Sequence, residues 1–189
     1  EHKSSYAATK STFTDYLRDW VIGLNAYAKG LASHLVTDFN SMLKGKLLVV
    51  FEELPVFSDQ QWQGASSKLK DYVTGKVCAY SDKYEKMIMC ENFNNYIINT
   101  NVNAIVHSEG RRWFILDLST HRKGDYAYFD NLHKTCFNKE VGEAFFNYLF
   151  SIDVSKFYAQ DFPHTKAKAQ AKIKNLALPL QYIKENYVL

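Results

Sequence analysis

The sequence predicts an α/β domain with a mainly parallel sheet flanked by helices. Two observations carry this prediction: the short aliphatic run at residues 47–51 is typical of a strand buried on both faces, and further short apolar runs alternate with amphipathic stretches. A strand that is apolar on both faces is typical of parallel sheets covered by helices. The alternation of strand and helix patterns indicates βαβ units, which build such sheets.

The first half of the chain supplies most of these elements. Residues 11–22 predict a helix that ends at Gly23, because their apolar side chains share one helical face: Phe13, Tyr16, Leu17, Trp20 and Val21. Residues 32–36 predict a short strand, and the Lys44-Gly45-Lys46 turn leads into the strand at 47–51. Residues 59–74 predict a helix that Gly75 ends, with Trp62, Leu69, Tyr72 and Val73 as its apolar positions.

The second half adds a hairpin, two strands and closing helices. Residues 77–90 have two β-rich arms around a polar centre, so they predict a hairpin with its tip near 82–86. Short strands are expected at 96–101 and 113–118, and helices at 139–151 and about 166–187. We therefore divide the chain into a core at 1–135 and a C-terminal helical segment at 136–189.

Composition narrows the class of protein. With 47% hydrophobic and 15% aromatic residues among 189, the chain can bury a sizeable core as one domain with a small appendage. The net charge of +3 is a weak indication of a polyanionic partner. The three cysteines have no zinc spacing and leave one thiol unpaired in any disulfide scheme, which favours a reducing, cytoplasmic location. No apolar stretch approaches the roughly 18 residues of a membrane span, so no membrane partner is expected.

An acidic pair, Glu52-Glu53, follows the buried strand directly. Carboxylates in such a place are costly unless they hold a cation or water, and ligands of open α/β sheets bind at the carboxyl ends of the strands. An acidic pair there can hold Mg²⁺ through its waters and orient a water for phosphoryl transfer. The alternative is a strand that ends in solvated acids.

Three further features could act with this pair. Thr9-Lys10-Ser11-Thr12 precedes a helix, as the Lys and Ser/Thr of a phosphate-binding loop do. Asn101 ends a strand and could orient a water, and Arg111-Arg112 could supply an arginine finger to a neighbouring subunit. Each feature alone has an ordinary alternative: a chance tripeptide, a strand-end cap or a solvated charge pair.

Taken together and in this order, the features resemble the superfamily 3 helicases of the AAA+ class, specifically the primase-helicases of phages, large DNA viruses and mobile elements. The resemblance covers most of the chain from about residue 10, through the stretches KSTFTDYLRDWVIG, FNSMLKGKLLVVFEEL, LKDYVTGK, NFNNYIINTN, EGRRWFILDLS, AFFNYLFSIDVSKF and FPHTKAKAQ. It implies an AAA+ P-loop NTPase-like fold. It also implies an ATP- and Mg²⁺-dependent helicase that forms a homo-hexamer on single-stranded or forked DNA during replication, with a possible primase or polymerase domain upstream.

The resemblance also assigns roles to residues. Nucleotide binding falls to Thr9, Lys10, Ser11 and Thr12, and Mg²⁺ binding to Ser11 and Glu52. Catalysis falls to Glu53, to Asn101 and to an arginine finger that is either Arg111 or Arg112; the sequence does not distinguish the two. The hairpin matches the DNA-contacting hairpin of the family, where Lys83 and Lys86 would meet phosphates and Tyr84 would stack on a base or sugar. The alternative for the hairpin is a solvated surface turn.

The chain departs from the family pattern before Lys10. The two positions that carry glycine in that phosphate-binding loop are Ser4 and Thr9 here, and residues 4–9 contain no glycine. Only nine residues precede Lys10, so the first core strand of the fold is expected to be missing. The chain is then either part of a longer protein or a nucleotide-weak relative that binds DNA or helicase partners. An unrelated Mg²⁺-dependent α/β nuclease is a third reading of the acidic pair.

Overall fold

The computed structural model describes residues 10–55, 57–100, 113–158, 161, 163–174 and 176–187. Its helices and strands in chain order are α1 (Ser11–Tyr16), β1 (Tyr27–Gly30), α2 (Ser33–Val36), β2 (Leu48–Glu52), α3 (Asp59–Thr74), β3 (Val77–Tyr80), β4 (Ile88–Glu91), β5 (Asn95–Asn99), α4 (Tyr126–Cys136), α5 (Lys139–Ser151), α6 (Lys166–Lys174) and α7 (Leu178–Tyr187). A π-helical turn (Leu17–Ile22) continues α1, and two short 3₁₀ turns lie at Leu24–Ala26 and Ser41–Leu43.

The central feature is a three-stranded parallel sheet in the order β1-β2-β5. β2 lies in the middle, and Val49, Val50 and Phe51 expose none of their surface. This burial on both faces explains the uninterrupted apolar run and confirms both the predicted strand and the parallel sheet. β5, the third strand in this order, ends at Asn99 rather than at the predicted residue 101.

The predicted strand at 32–36 is wrong. Ser33–Val36 forms a helical turn, α2, and the strand beside β2 is Tyr27–Gly30. The turn is stabilised locally because the Leu31 N–H donates to His34 Nδ1 at 3.0 Å. Its buried side chains, His34 and Leu35, are consecutive, whereas a half-buried strand would alternate.

Residues 11–22 are helical and end at Gly23, whose φ of +78° suits glycine. The predicted apolar face is only partly right. Thr14 is the buried residue of α1, whereas Phe13 is 56% exposed. The π turn at Leu17–Ile22 shifts the phase of the helix, which a regular 3.6-residue period does not anticipate.

α3 spans the predicted residues. Ser58 and Gln61 form a capping box at its start, and it buries Trp62, Leu69 and Tyr72, whereas the predicted apolar position Val73 is exposed. The chain then enters the predicted hairpin, in which β3 and β4 pair antiparallel from Val77↔Glu91 to Tyr80↔Ile88.

The predicted strand at 113–118 is also wrong, since these residues form no strand. The Ile115 carbonyl instead accepts a hydrogen bond of 2.5 Å from the Thr165 hydroxyl, at the residue before α6. α4 was not expected. α5 matches its prediction, and the helix expected at about 166–187 is two helices, α6 and α7.

The chain divides into two compact units. The described residues of the first lie within Glu1–Asn101 and Ser119–Ile152, and those of the second within Val102–Leu118 and Asp153–Leu189. The sheet, the hairpin, α4 and α5 belong to the first unit. Among the described helices, none combines the length and apolar character needed to cross a membrane.

Candidate functional site

The strand ends of β2 and β5 and the beginning of α1 meet at one edge of the sheet. Glu52, the last residue of β2, stands opposite Asn99, the last residue of β5, in parallel register. Because the strands are parallel, both side chains emerge at the carboxyl edge of the sheet, where α/β proteins bind ligands. Ser11, the first residue of α1, reaches the same edge.

The Glu52 carboxylate joins these three elements. Its Oε2 accepts a hydrogen bond from Ser11 Oγ at 3.0 Å, and its Oε1 accepts one from Asn99 Nδ2 at 2.9 Å. Each carboxylate oxygen thus has a donor from a different element, and the side chain is only partly exposed. This pairing satisfies a carboxylate that the β2 strand carries to the border of the core.

Lys10 lies immediately before α1, and its ammonium donates to the backbone carbonyl of Thr100, just beyond β5. Lys10 therefore stands at the same strand edge as Glu52. Thr12 lies in the first turn of α1 and is half-buried. The sequence predicted this grouping of Lys10, Ser11 and Glu52, and the structure brings the three together.

The backbone leaves the extended conformation of the strand at Glu53. Glu53 has a φ of +49°, one of two positive values at non-glycine residues in the described chain, and its N–H donates to the Asn99 carbonyl at 2.8 Å. A left-handed backbone conformation is unfavourable for any residue that has a Cβ atom. Residues in such conformations are found most often at functional sites. The Glu53 side chain is exposed at the edge that holds Glu52.

Two residues of the site escaped the sequence analysis: Asn99 and Thr14. Asn99 Nδ2 also donates to Thr14 Oγ1 at 3.2 Å, and Thr14 Oγ1 donates to the Ser11 carbonyl at 3.0 Å. Thr14 is 1% exposed. Asn99 could have been found only from the register of β2 and β5. A single sequence does not give that register, because the register depends on where β5 begins.

A basic side chain and a phenol lie on the elements behind this edge. Arg18, in the π turn, pairs with Asp15 and Asp19 at 2.6 Å and sits 5.6 Å from the centre of the Tyr27 ring. Burial is the main reason that the pKa of Tyr27 is raised, with the Glu52 charge as a smaller cause. Tyr27 is therefore a neutral phenol at ordinary pH.

The donor set suits a magnesium ion that keeps most of its waters. Ser11 Oγ and Glu52 Oε2 are neighbours, and one hydroxyl with one carboxylate is what Mg²⁺ takes when substrate phosphates and waters fill its other positions. No cluster of three or more His, Cys, Asp or Glu side chains occurs in the part of the chain that is described.

Four predicted site residues fall outside the described residues: Thr9, Asn101, Arg111 and Arg112. Their roles in nucleotide binding and catalysis remain predictions.

The hairpin tip carries the residues predicted to contact DNA. Lys83, Tyr84 and Lys86 are all exposed, and Tyr84 exposes 94% of its surface with a φ of +69°. The Lys83 ammonium lies 5.0 Å from the centre of the Tyr84 ring. An exposed aromatic ring with a cation beside it is the combination that single-stranded nucleic acids bind.

Hydrogen bonds from Asn40 and Ser41 hold the base of the hairpin tip. The buried Asn40 side chain donates to Tyr72 Oη at 2.9 Å and to the Ala79 carbonyl at 3.0 Å, and it accepts from the Ser81 N–H at 3.0 Å. Ser41 Oγ donates to Asp82 Oδ2 at 2.8 Å. These bonds attach the beginning of the tip to the body of the first unit.

Comparisons with known proteins agree with this fold. A family model described as a family of unknown function (DUF5906) matches residues 3–112, which is more than half of the chain. A structure described as the apo structure of the NrS-1 C-terminal region (305–718) is similar with a TM-score of 0.64 at 20% identity, over 89% of this chain and 40% of that one. An A form of the same region gives a TM-score of 0.61 at 20% identity with the same coverages. None of the curated proteins matches.

These structural likenesses show a shared fold. The chain spans about two fifths of the length of the similar structures.

Proposed function

The chain belongs to the DUF5906 family of unknown function, and from the geometry of its strand edge we propose that it is the nucleotide-binding core of an ATP-driven DNA helicase. Such a protein would act in the replication of a phage, a virus or a mobile element. The proposal rests on the helicase resemblance of the sequence and on the arrangement of the site. The similar NrS-1 region is longer than this chain, so the full activity would involve further segments.

One observation carries the proposal: Ser11 and Asn99 donate to the two oxygens of the Glu52 carboxylate at 3.0 and 2.9 Å. A hydroxyl from the start of a helix, an acid from the central strand and an amide from the next strand therefore converge at one point. P-loop enzymes hold Mg²⁺ for phosphoryl transfer with such a hydroxyl and such an acid, and the Asn99 amide keeps the acid in position. A strand that merely ends in solvated acids would not bind both neighbouring elements.

Each residue then has a role in hydrolysis. The Lys10 ammonium would exchange the Thr100 carbonyl for a phosphate oxygen, which is a stronger, charge-assisted partner. Bound Mg²⁺ would neutralise phosphate charge. Ser11 and Glu52 would orient it, and Glu53 would accept the proton of the attacking water. Asn99 keeps Glu52 in place, and the roles predicted for Asn101, Arg111 and Arg112 complete the proposal.

The hairpin would contact one DNA strand. Lys83 and Lys86 supply positive charge for phosphates, and the exposed Tyr84 ring supplies a stacking surface. A homo-hexamer would place such tips around a central channel, so that changes at the nucleotide site could move them along the strand.

The test is binding of a fluorescent ATP analogue with Mg²⁺, together with ATP turnover with and without single-stranded DNA. We expect Lys10→Ala to weaken analogue binding at least about tenfold and Glu53→Gln to leave binding but abolish turnover. Lys44→Ala and Glu140→Gln change exposed side chains elsewhere and should match the unmodified chain. Binding that is equal in the Lys10→Ala and Lys44→Ala variants would refute the nucleotide site.

A second function, binding of DNA or a helicase partner without hydrolysis, is favoured by the absence of glycine from residues 4–9. The same experiment separates the two functions. DNA binding that depends on Lys83 and Lys86, without any Glu53-dependent turnover, would support the binding module. DNA cleavage that needs Mg²⁺ but no nucleotide would instead support the nuclease.

A further inference from the structure

Two of the three cysteines face each other across the hairpin. Cys78 on β3 and Cys90 on β4 are directly paired in the antiparallel register, and both are free thiols. Directly opposed residues point to the same face of the ribbon, with Cα atoms about 4.5–5.5 Å apart. That range lies within the roughly 4.4–6.8 Å that disulfides span. We propose that Cys78 and Cys90 form a reversible redox site that locks the two strands of the hairpin together.

The two thiols differ in access, which suggests an order of reaction. Cys78 is buried beside Tyr80, and burial raises the pKa of its thiol. Cys90 is only partly buried. A disulfide reagent therefore reacts with Cys90 first, and the buried Cys78 thiol reacts second.

The reaction balances with glutathione disulfide as the oxidant. The Cys90 thiolate attacks one sulfur of the reagent, which forms a mixed disulfide and releases one glutathione thiolate. The Cys78 thiolate then attacks the Cys90 sulfur, which forms the protein disulfide and releases the second glutathione. Two protein thiols lose two electrons and two protons, and the reagent leaves as two glutathione thiols. Reduction by dithiothreitol reverses the exchange.

The bond would change the hairpin mechanically. Among the described residues, β3 and β4 pair with each other and with no further strand, and two-stranded ribbons are marginally stable by themselves. The covalent link would close the chain between residues 78 and 90, which contains the exposed tip, and so oppose separation of the strands. This consequence concerns the hairpin itself and does not depend on nucleotide hydrolysis.

The test maps the bond in the folded chain. Trypsin cuts after Lys83 and Lys86, within the tip, so an intact disulfide is the sole connection between the peptides 77–83 and 87–111. After incubation with glutathione disulfide and blocking of remaining thiols, mass spectrometry should detect these two peptides linked, with two hydrogens lost. The Cys136→Ser variant should give the same product, and Cys90→Ser should not give it.

A urea-unfolded sample serves as the control for chance pairing, because all three thiols can meet there. We expect links to Cys136 in that sample and their absence from the folded one. Blocked, unlinked Cys78 and Cys90 in the folded, oxidised sample would overturn the redox site. Hydrogen exchange of the β3 and β4 amides should slow by about tenfold or more on oxidation. Equal exchange in the oxidised and reduced forms would overturn the lock.

Discussion

Asn99 donates a 2.9 Å hydrogen bond to Glu52 from the register-matched position on the neighbouring parallel strand. The same amide donates to the buried Thr14 of α1 at 3.2 Å. One side chain therefore connects two strands and the helix that begins at the candidate site. This role is structural as well as functional, and the two can be measured separately.

Replacing Asn99 by alanine should lower the free energy of unfolding by about 1–3 kcal/mol, because Glu52 and Thr14 each lose a donor in a half-buried place. Urea unfolding followed by tryptophan fluorescence measures the change. Asn95→Ala is the matched control, since the exposed Asn95 amide on the same strand donates to the Leu47 and Phe93 carbonyls at 3.1 and 3.4 Å and to no side chain of the site. Equal unfolding midpoints for the two variants would show that the Asn99 network contributes no more stability than these exposed hydrogen bonds.

Glu53 offers a comparison of two substitutions that both remove the carboxylate. Glu53→Gly should be more stable than Glu53→Ala by about 1 kcal/mol, because glycine adopts a φ of +49° without a steric cost. Both variants should lack Glu53-dependent ATP turnover if the proposed function holds. The measurement is thermal and urea unfolding of the pair. A more stable alanine variant would contradict the left-handed backbone at this position.

Two glycines in helices should respond oppositely to alanine. A Cβ on Gly142 of α5 would lie 2.0 Å from the Trp20 carbonyl oxygen, so Gly142→Ala should destabilise the fold by several kcal/mol, roughly 2–4. Gly64 in α3 has open space around it, and Gly64→Ala should stabilise by about 0.5–1 kcal/mol. Calorimetric melting temperatures test the pair. An unchanged melting temperature for Gly142→Ala would mean that α5 does not pack this closely on the π turn.

Because of His34, we expect the free energy of unfolding to fall in mild acid. Burial lowers the pKa of its imidazole, and its Nδ1 accepts the Leu31 N–H, so the folded state holds the neutral ring. The unfolded chain takes up a proton as the pH falls below about 6.5, while the folded chain does not. The contribution of His34 is therefore complete above that pH and declines as the pH falls towards the folded pKa.

The matched variant is His34→Asn, whose side-chain oxygen can replace Nδ1 as an acceptor but takes up no proton. Urea unfolding at about pH 8 and pH 5 should show a smaller decline for the variant than for the unmodified chain. The remaining histidines are present in both proteins, so their contribution cancels. Identical declines would indicate that the pKa of His34 is the same in the folded and unfolded states.

If the hairpin lysines contact DNA phosphates, replacing them should change the salt dependence of DNA affinity. Lys83→Ala and Lys86→Ala should each reduce the slope of log affinity against log salt for single-stranded DNA by about 0.7, since each removes one phosphate contact. Fluorescence anisotropy over a range of salt concentrations measures the slope. Lys123→Ala changes an exposed lysine in a different turn and should leave the slope unchanged. A slope that falls equally in all three variants would argue for general charge attraction instead of a hairpin contact.

The parts of this fold that the sequence predicts are those where local pattern and burial agree. The strand at β2, the helix α3 with its Ser58 cap and the hairpin all carry such a pattern. β1 was missed because Tyr27–Gly30 is short and ends in glycine, and only its pairing with β2 makes it a strand. The apolar run at 113–118 misled for the opposite reason, because no strand among the described residues pairs with it.

In the candidate site, too, the residues predicted from the sequence are those whose position follows from local pattern. Lys10, Ser11 and Glu52 were predicted together from residue types at element ends, and the structure brings all three to the same edge of the sheet. Asn99 and Thr14 were missed because their places depend on strand register and on the side of α1 that faces the sheet. Neither property is local in sequence, and the π turn after Tyr16 further alters the helical phase.

Gly30 on β1 lies against the Phe51 ring on β2, so closely that a Cβ would come within 2.5 to 2.8 Å of three ring carbons. Neither position can enlarge while the other stays as it is. Relatives in which residue 30 carries a side chain should therefore have a smaller residue at 51, and this reciprocal change would record in natural sequences the contact between the two strands.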